Sequence, residues 1–258
     1  MRLTFERSLA DKYTSLSQKA RVLTENWVYG QVYCPNCGQT HLEQYESGRK
    51  VADFYCSSCR EEYELKSKKT TIGYRIADGA YGAKIERLTC STNPSLFVLN
   101  YDSTNLTVND LMVVPKHFFT PEIIERRKAL SASARRAGWV GSNILLKDVP
   151  ESGRLYIVRN GVVTPKADVM AIWRRTLFLR EENDMKSRGW LMDIMALVEK
   201  LGQEFTLGQL YTFEGNLERK HPDNRHIRDK IRQQLQVLRD RGYLEFVERG
   251  RYRLKQHD

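Results

Sequence analysis

The sequence predicts an α/β domain with a mixed sheet and flanking helices over residues 1–182, then a domain of three helices and a hairpin over residues 183–258. Three observations carry that reading. Short apolar runs bounded by turn residues alternate with helical patterns up to about residue 180. A polar stretch without periodicity, 181–189, then reads as a linker. Beyond it, three helical patterns precede two alternating runs on either side of Arg249 and Gly250.

Each element has its own signal. Residues 17–27 read as an amphipathic helix with Ser17 as N-cap. Residues 34–38 form a tight turn. Residues 51–55 and 62–66 read as two short strands, 77–87 as a helix, and 95–101, 111–115 and 153–158 as core strands. The later helices fall at 190–201, 206–217 and 224–241, with Thr206 as N-cap and Gly242 as a stop. The hairpin pairs 243–247 with 251–254. This order describes a winged helix, a variant of the helix-turn-helix.

Composition narrows the partner. The 258 residues carry 42 Lys+Arg against 32 Asp+Glu, a net charge of +10, which favours nucleic acid or a membrane surface. No apolar run reaches the ~18 residues that a membrane-spanning helix needs. The N-terminus runs into polar sequence, so a signal peptide is not expected and a cytoplasmic location is. Residues 224–241 hold six basic and two acidic residues, which concentrates charge on one expected helix.

Cys34, Cys37, Cys56 and Cys59 form two C-x-x-C pairs with 18 residues between them, the spacing of a zinc site. Each turn supplies two thiolates, and four thiolates complete a tetrahedron with no open position. The expected Zn2+ is therefore structural. Cys90 stands alone and reads as a core cysteine.

Asp53 is followed by ten residues and then by Glu64, Leu65 and Lys66. Residues two apart on a strand share a face, so Glu64 and Lys66 point the same way. If the strands pair as a hairpin, Asp53 joins them. Two carboxylates on a rigid sheet suit Mg2+, and a lysine beside them can orient or help deprotonate water and offset charge on a phosphate. The pattern alone also fits a solvated strand face. The cysteines in the connection between the strands favour the catalytic reading.

Such a set on adjacent strands resembles the active site of the PD-(D/E)xK nuclease superfamily. Longer segments extend the resemblance: Ser17-Gln-Lys-Ala-Arg21, Cys34-Pro-Asn-Cys-Gly38, Glu64-Leu-Lys-Ser-Lys-Lys69, Ala134-Arg-Arg-Ala-Gly-Trp139 and the residues at 51–56 and 230–240. Together they resemble the DpnI-like methyl-directed restriction endonucleases. The resemblance implies a restriction-endonuclease-like mixed sheet with a zinc-binding hairpin, followed by a winged helix. It implies a type II enzyme with Mg2+ on Asp53, Glu64 and the main-chain carbonyl of Leu65. Its partner would be double-stranded DNA, cut at GATC only where the adenine is N6-methylated. A monomer in solution is expected.

Residues that read DNA are assigned from both domains. On the helix at 224–241, Ile227, Ile231, Leu235 and Leu238 share the inward face. Arg225, His226, Arg232, Gln233 and Gln236 then face outward, with Asp229 near them. Arg suits guanine or phosphate and Gln suits adenine. Arg249 and Arg251 at the hairpin tip suit phosphate. In the first domain Arg135 and Arg136 stand near Trp139. From the resemblance, Trp139 is the expected sensor of the small apolar methyl group. Two other readings remain open at this point: a zinc-containing transcription regulator without chemistry, and an RNA or repair nuclease on the same scaffold.

Overall fold

The computed structural model describes residues 1–46, 52–90 and 92–255. The expected strand residue Val51 lies outside them. Helix α1 (Leu16–Gln31) leads into short strands β1 (Glu43–Gln44) and β2 (Phe54–Tyr55), then β3 (Glu62–Lys68). Next come β4 (Arg75–Ala80), α2 (Tyr81–Thr89), β5 (Ser95–Asp102), β6 (Thr107–Val114), β7 (Ile124–Arg126) and β8 (Gly141–Leu145). Strands β9 (Leu155–Arg159) and β10 (Val162–Val163) and helix α3 (Lys166–Arg175) complete the first domain.

Seven strands form one sheet in the order β1-β2-β3-β5-β6-β9-β10. Among the described residues only β3 and β5 pair in parallel, because β4 and α2 make the crossover between them. Alternation along β5 and β6 splits the core into two layers. Phe97, Leu99, Leu111 and Val113 meet Trp27 and Val28 of α1 and Trp173 of α3. Leu96, Val98, Met112 and Val114 face the opposite way, toward Leu88 of α2. A smaller sheet, β4-β8-β7, lies in that second layer through Ile76, Ile144 and Ile124.

The C-terminal domain consists of α4 (Met185–Leu201), β11 (Glu204–Thr206), α5 (Leu207–Tyr211), α6 (Glu214–Lys220), α7 (Ile227–Asp240), β12 (Leu244–Glu248) and β13 (Arg251–Leu254). Strand β11 pairs with β13, so the hairpin is the larger part of a three-stranded sheet in the order β11-β13-β12. Leu191, Ile194, Ile231, Leu235 and Leu238 share one apolar cluster with Leu88 and Phe118 of the first domain.

Several expectations need correction. Ser17 is not the N-cap of α1: Ser15 holds that position and helix begins at Leu16. The helix expected at 77–87 starts only at Tyr81, because Ala77 and Asp78 are drawn into pairing with Asn143 and Ser142 of β8. Helix α4 starts inside the stretch read as a linker. Asp184 caps it by accepting the Ser187 N–H at 2.8 Å, a side-chain signal that periodicity does not register. Residues 206–217 are two short helices. Thr206 caps the first in a reciprocal box with Gln209, as expected of that position. Cys90 is exposed at the end of α2 and is not a core residue.

Candidate active site

Strand β2 pairs antiparallel with β3 through Phe54–Tyr63 and Tyr55–Glu62. Asp53 lies just before β2 and its backbone continues the ladder. Its N–H donates to Tyr63 O and its carbonyl accepts from the Tyr45 N–H, each at 2.9 Å. Asp53 Oδ2 then accepts the Leu65 N–H at 2.7 Å. That bond aims the carboxylate across the hairpin at the segment carrying Glu64 and Lys66. Lys66 Nζ lies 2.6 Å from Glu64 Oε1. The fold therefore brings the three expected residues together.

It also brings two that were not foreseen. Asp78 of β4 accepts Lys66 Nζ at 3.1 Å on Oδ1 and Lys84 Nζ at 3.0 Å on Oδ2. Lys84, on α2, also lies 3.7 Å from Glu64 Oε2. The side chains of Asp78 and Lys84 are only 5% and 4% exposed, so neither is a solvated surface group. Lys84 packs over the Phe119 ring, 5.0 Å from its centroid. A signal for Lys84 existed: it stands four residues before buried Leu88, on the inward face of an amphipathic helix. Asp78 had none, because its strand was read as helix.

These neighbours set the charge states. Burial pushes the Asp53 carboxyl up, the Leu65 N–H opposes it, and the charges of Glu25 and Glu64 add to the rise. Burial pulls the Lys66 ammonium down, but the Glu64 and Asp78 carboxylates outweigh it and hold Lys66 above the usual lysine range. Burial alone would raise Asp78, yet Lys84 and Lys66 hold it well below the usual carboxylate range. Asp53 and Glu64 thus offer hard oxygen donors whose mutual repulsion a divalent cation would relieve, a donor set that fits Mg2+.

The cysteines lie beside this hairpin. The four sulfurs of Cys34, Cys37, Cys56 and Cys59 lie within 4.8 Å of one another and could hold a zinc ion. Cys34–Cys59 and Cys37–Cys56 are each 3.5 Å apart, close to the ~3.8 Å edge of a tetrahedron with Zn–S of about 2.3 Å. Both turns fold alike. Gly38 N–H donates to Cys34 O at 2.8 Å, and Arg60 N–H to Cys56 O at 2.9 Å. The left-handed φ of +82° at Gly38 suits glycine, and a Cβ there would meet Met170 at 2.9 Å. Tyr63 Oη lies 3.1 Å from Cys34 Sγ, one residue from Glu64, which ties the cysteine cluster to the acidic strand.

Two family models match the chain. One, described as DpnI, the Dam-replacing family, covers residues 1–182; the other, DpnI_C, the Dam-replacing HTH domain, covers residues 186–254. The chain belongs to the DpnI, or Dam-replacing, family. That family implies a methyl-directed restriction endonuclease, a hydrolase that acts on DNA. No helix among the described residues is long and apolar enough to cross a membrane.

In this DpnI-family chain the residues assigned to DNA occupy two surfaces. Ile227, Ile231, Leu235 and Leu238 are buried on α7, while Arg232, Gln233 and Gln236 are exposed. Arg225 and His226 are exposed but precede the helix, because α7 starts at Ile227. Arg232 donates to Tyr211 Oη at 2.8 Å and pairs with Asp229. Arg249 sits in the exposed turn before Gly250, and Arg251 lies 3.2 Å from Glu248.

The second surface is the segment between β7 and β8. Leu130 N–H donates to Trp139 O at 3.0 Å and Gly138 N–H to Leu130 O at 3.1 Å, closing the segment on itself. Trp139 is half-buried and not part of the core; Arg135 and Arg136 are exposed. The Arg136 guanidinium lies 4.6 Å from the Trp139 ring centroid. Tyr81 N–H donates to Val140 O at 3.0 Å, which anchors the segment to the start of α2, between Asp78 and Lys84 in the chain.

Proposed function

We propose that this chain is a Mg2+-dependent type II endonuclease. It hydrolyses phosphodiester bonds of double-stranded DNA at GATC sites whose adenine carries an N6-methyl group. The convergence of Asp53, Glu64 and Lys66 on one hairpin, in a chain of the DpnI family, carries this reading. Asp53, Glu64 and the Leu65 carbonyl would hold Mg2+, while Cys34, Cys37, Cys56 and Cys59 would hold a structural Zn2+. Mg2+, when bound, polarises the phosphodiester and lowers the pKa of water. Lys66 orients the attacking water and offsets the negative charge that grows on the phosphate.

Trp139 senses the methyl group by apolar contact, and Arg135 and Arg136 bind phosphate beside it. The winged helix contributes a second reading surface through Arg225, His226, Arg232, Gln233 and Gln236, with Arg249 and Arg251 on the backbone. The protein works in the cytoplasm as a monomer.

The test uses plasmid from methylating and non-methylating hosts. With Mg2+, discrete fragments are expected only from methylated plasmid. Glu64→Gln should lower the rate by about 10²-fold or more while DNA binding persists. Shifted but uncut DNA with the wild-type protein would overturn the enzymatic reading. Cutting that ignores methylation would overturn the specificity.

A further inference from the structure

Lys66 has two carboxylate partners where one would hold it. Glu64 lies at 2.6 Å and Asp78 at 3.1 Å, and Lys84 joins the far sides of both at 3.7 and 3.0 Å. The four charges alternate in a closed ring. Its outer pair, Lys66 and Glu64, is 27% and 18% exposed; its inner pair is nearly sealed. Asp78 and Lys84 are thus too deep to touch DNA. Both stand on rigid elements, Asp78 paired in β4 against Ser142 of β8 and Lys84 over the Phe119 ring.

We infer that Asp78 is a positioning residue, the partner to which Lys66 turns when a divalent cation takes the Glu64 carboxylate, with Lys84 holding Asp78 in place. This rests on the nuclease reading above. A cation at Glu64 repels Lys66, and a half-buried ammonium left without a carboxylate is costly. Asp78 removes that conflict. Without it, Lys66 stays on Glu64 and competes with the cation.

Mn2+ binding to the zinc-loaded, full-length protein without DNA, followed by titration calorimetry, tests this. Asp78→Asn should weaken binding about ten-fold, the scale of one charge-assisted hydrogen bond. That change also adds a positive charge, so the deciding variant is Asp78→Asn/Lys84→Met, whose ring has the wild-type net charge. It should remain about ten-fold weaker. Wild-type affinity in the double variant would overturn the proposal and leave charge as the whole effect. Zinc content and cooperative unfolding report folding, and Lys84→Gln replaces Lys84→Met if methionine is not accommodated. Wild-type protein that binds no Mn2+, or binds it unchanged after Asp53→Asn/Glu64→Gln, would overturn the nuclease site itself.

Discussion

At the scale of single residues, close contacts make small changes informative. A Cβ at Gly141 would lie 2.8 Å from the Trp139 ring. Gly141→Ala should therefore displace the indole without touching Asp53, Glu64 or Lys66. Competition between methylated and unmethylated GATC duplexes is expected to show about ten-fold lower discrimination, the scale of ~1.4 kcal/mol of apolar contact. Unchanged discrimination would count against Trp139 as the sensor. His117 offers a pH test. It is buried between Thr176, 2.9 Å from Nε2, and Arg180, whose Nε donates to Nδ1 at 3.3 Å. Burial, with the charges of Arg180, Arg188 and Lys116 adding, pulls it well below the usual histidine value. The unfolded chain then takes up a proton that the folded chain refuses. Stability is complete above the unfolded value of ~6.5 and is lost as pH falls, by up to ~1.4 kcal/mol per unit. Urea unfolding at pH 7.5 and 5.5 should show this loss in the wild type and a smaller one in His117→Gln; equal losses would show that the histidine is not the cause.

At the scale of elements, the β2–β3 hairpin is short. Among the described residues Phe54–Tyr63 and Tyr55–Glu62 are its registered pairs, extended by the Asp53 backbone, too little to be stable alone. The cysteine turns close its end, and Asp53 reaches Leu65 from the other side. Chelating zinc should therefore loosen the hairpin and lower cleavage by about 10²-fold, even at saturating Mg2+, because small misplacements of reacting groups are that costly. Resupplied zinc should restore it. Stripped, folded protein that cuts at the wild-type rate would break the link between the cysteine cluster and the acids.

At the scale of the whole molecule, the two domains share a core and a polar seam. Arg175 donates to Tyr243 O at 2.8 Å, and its guanidinium lies 4.2 Å from the Tyr243 ring centroid. Tyr243 Oη donates to Glu199 and accepts from Ser152 Oγ at 3.2 Å, and Glu199 also accepts the Glu151 N–H at 2.6 Å. Both surfaces proposed to read DNA thus sit on one packed unit. Calorimetry should show a single unfolding transition in the wild type. Tyr243→Ala removes a fully buried ring at a cost of ~3–5 kcal/mol and should separate the transition into two. A single transition in the variant would mean that the shared apolar cluster couples the domains without this seam.

The sequence by itself determined the features that depend on local spacing. The cysteine quartet, the Asp53–Glu64–Lys66 set and the inward face of α7 are patterns of fixed interval, and the interval is what the chemistry needs. Tertiary structure decided what depends on distant partners. Asp78 lies on a strand only because β8, more than sixty residues later, pairs with it, and Lys84 is buried only because that strand and Phe119 cover it. Cys90 reads as apolar from its type, yet it stands exposed at a helix end. Helix α4 extends into the expected linker because Asp184 caps its start and Trp190 is buried in the shared core. Local pattern specifies which side chains can do the chemistry; long-range pairing specifies which further charges surround them.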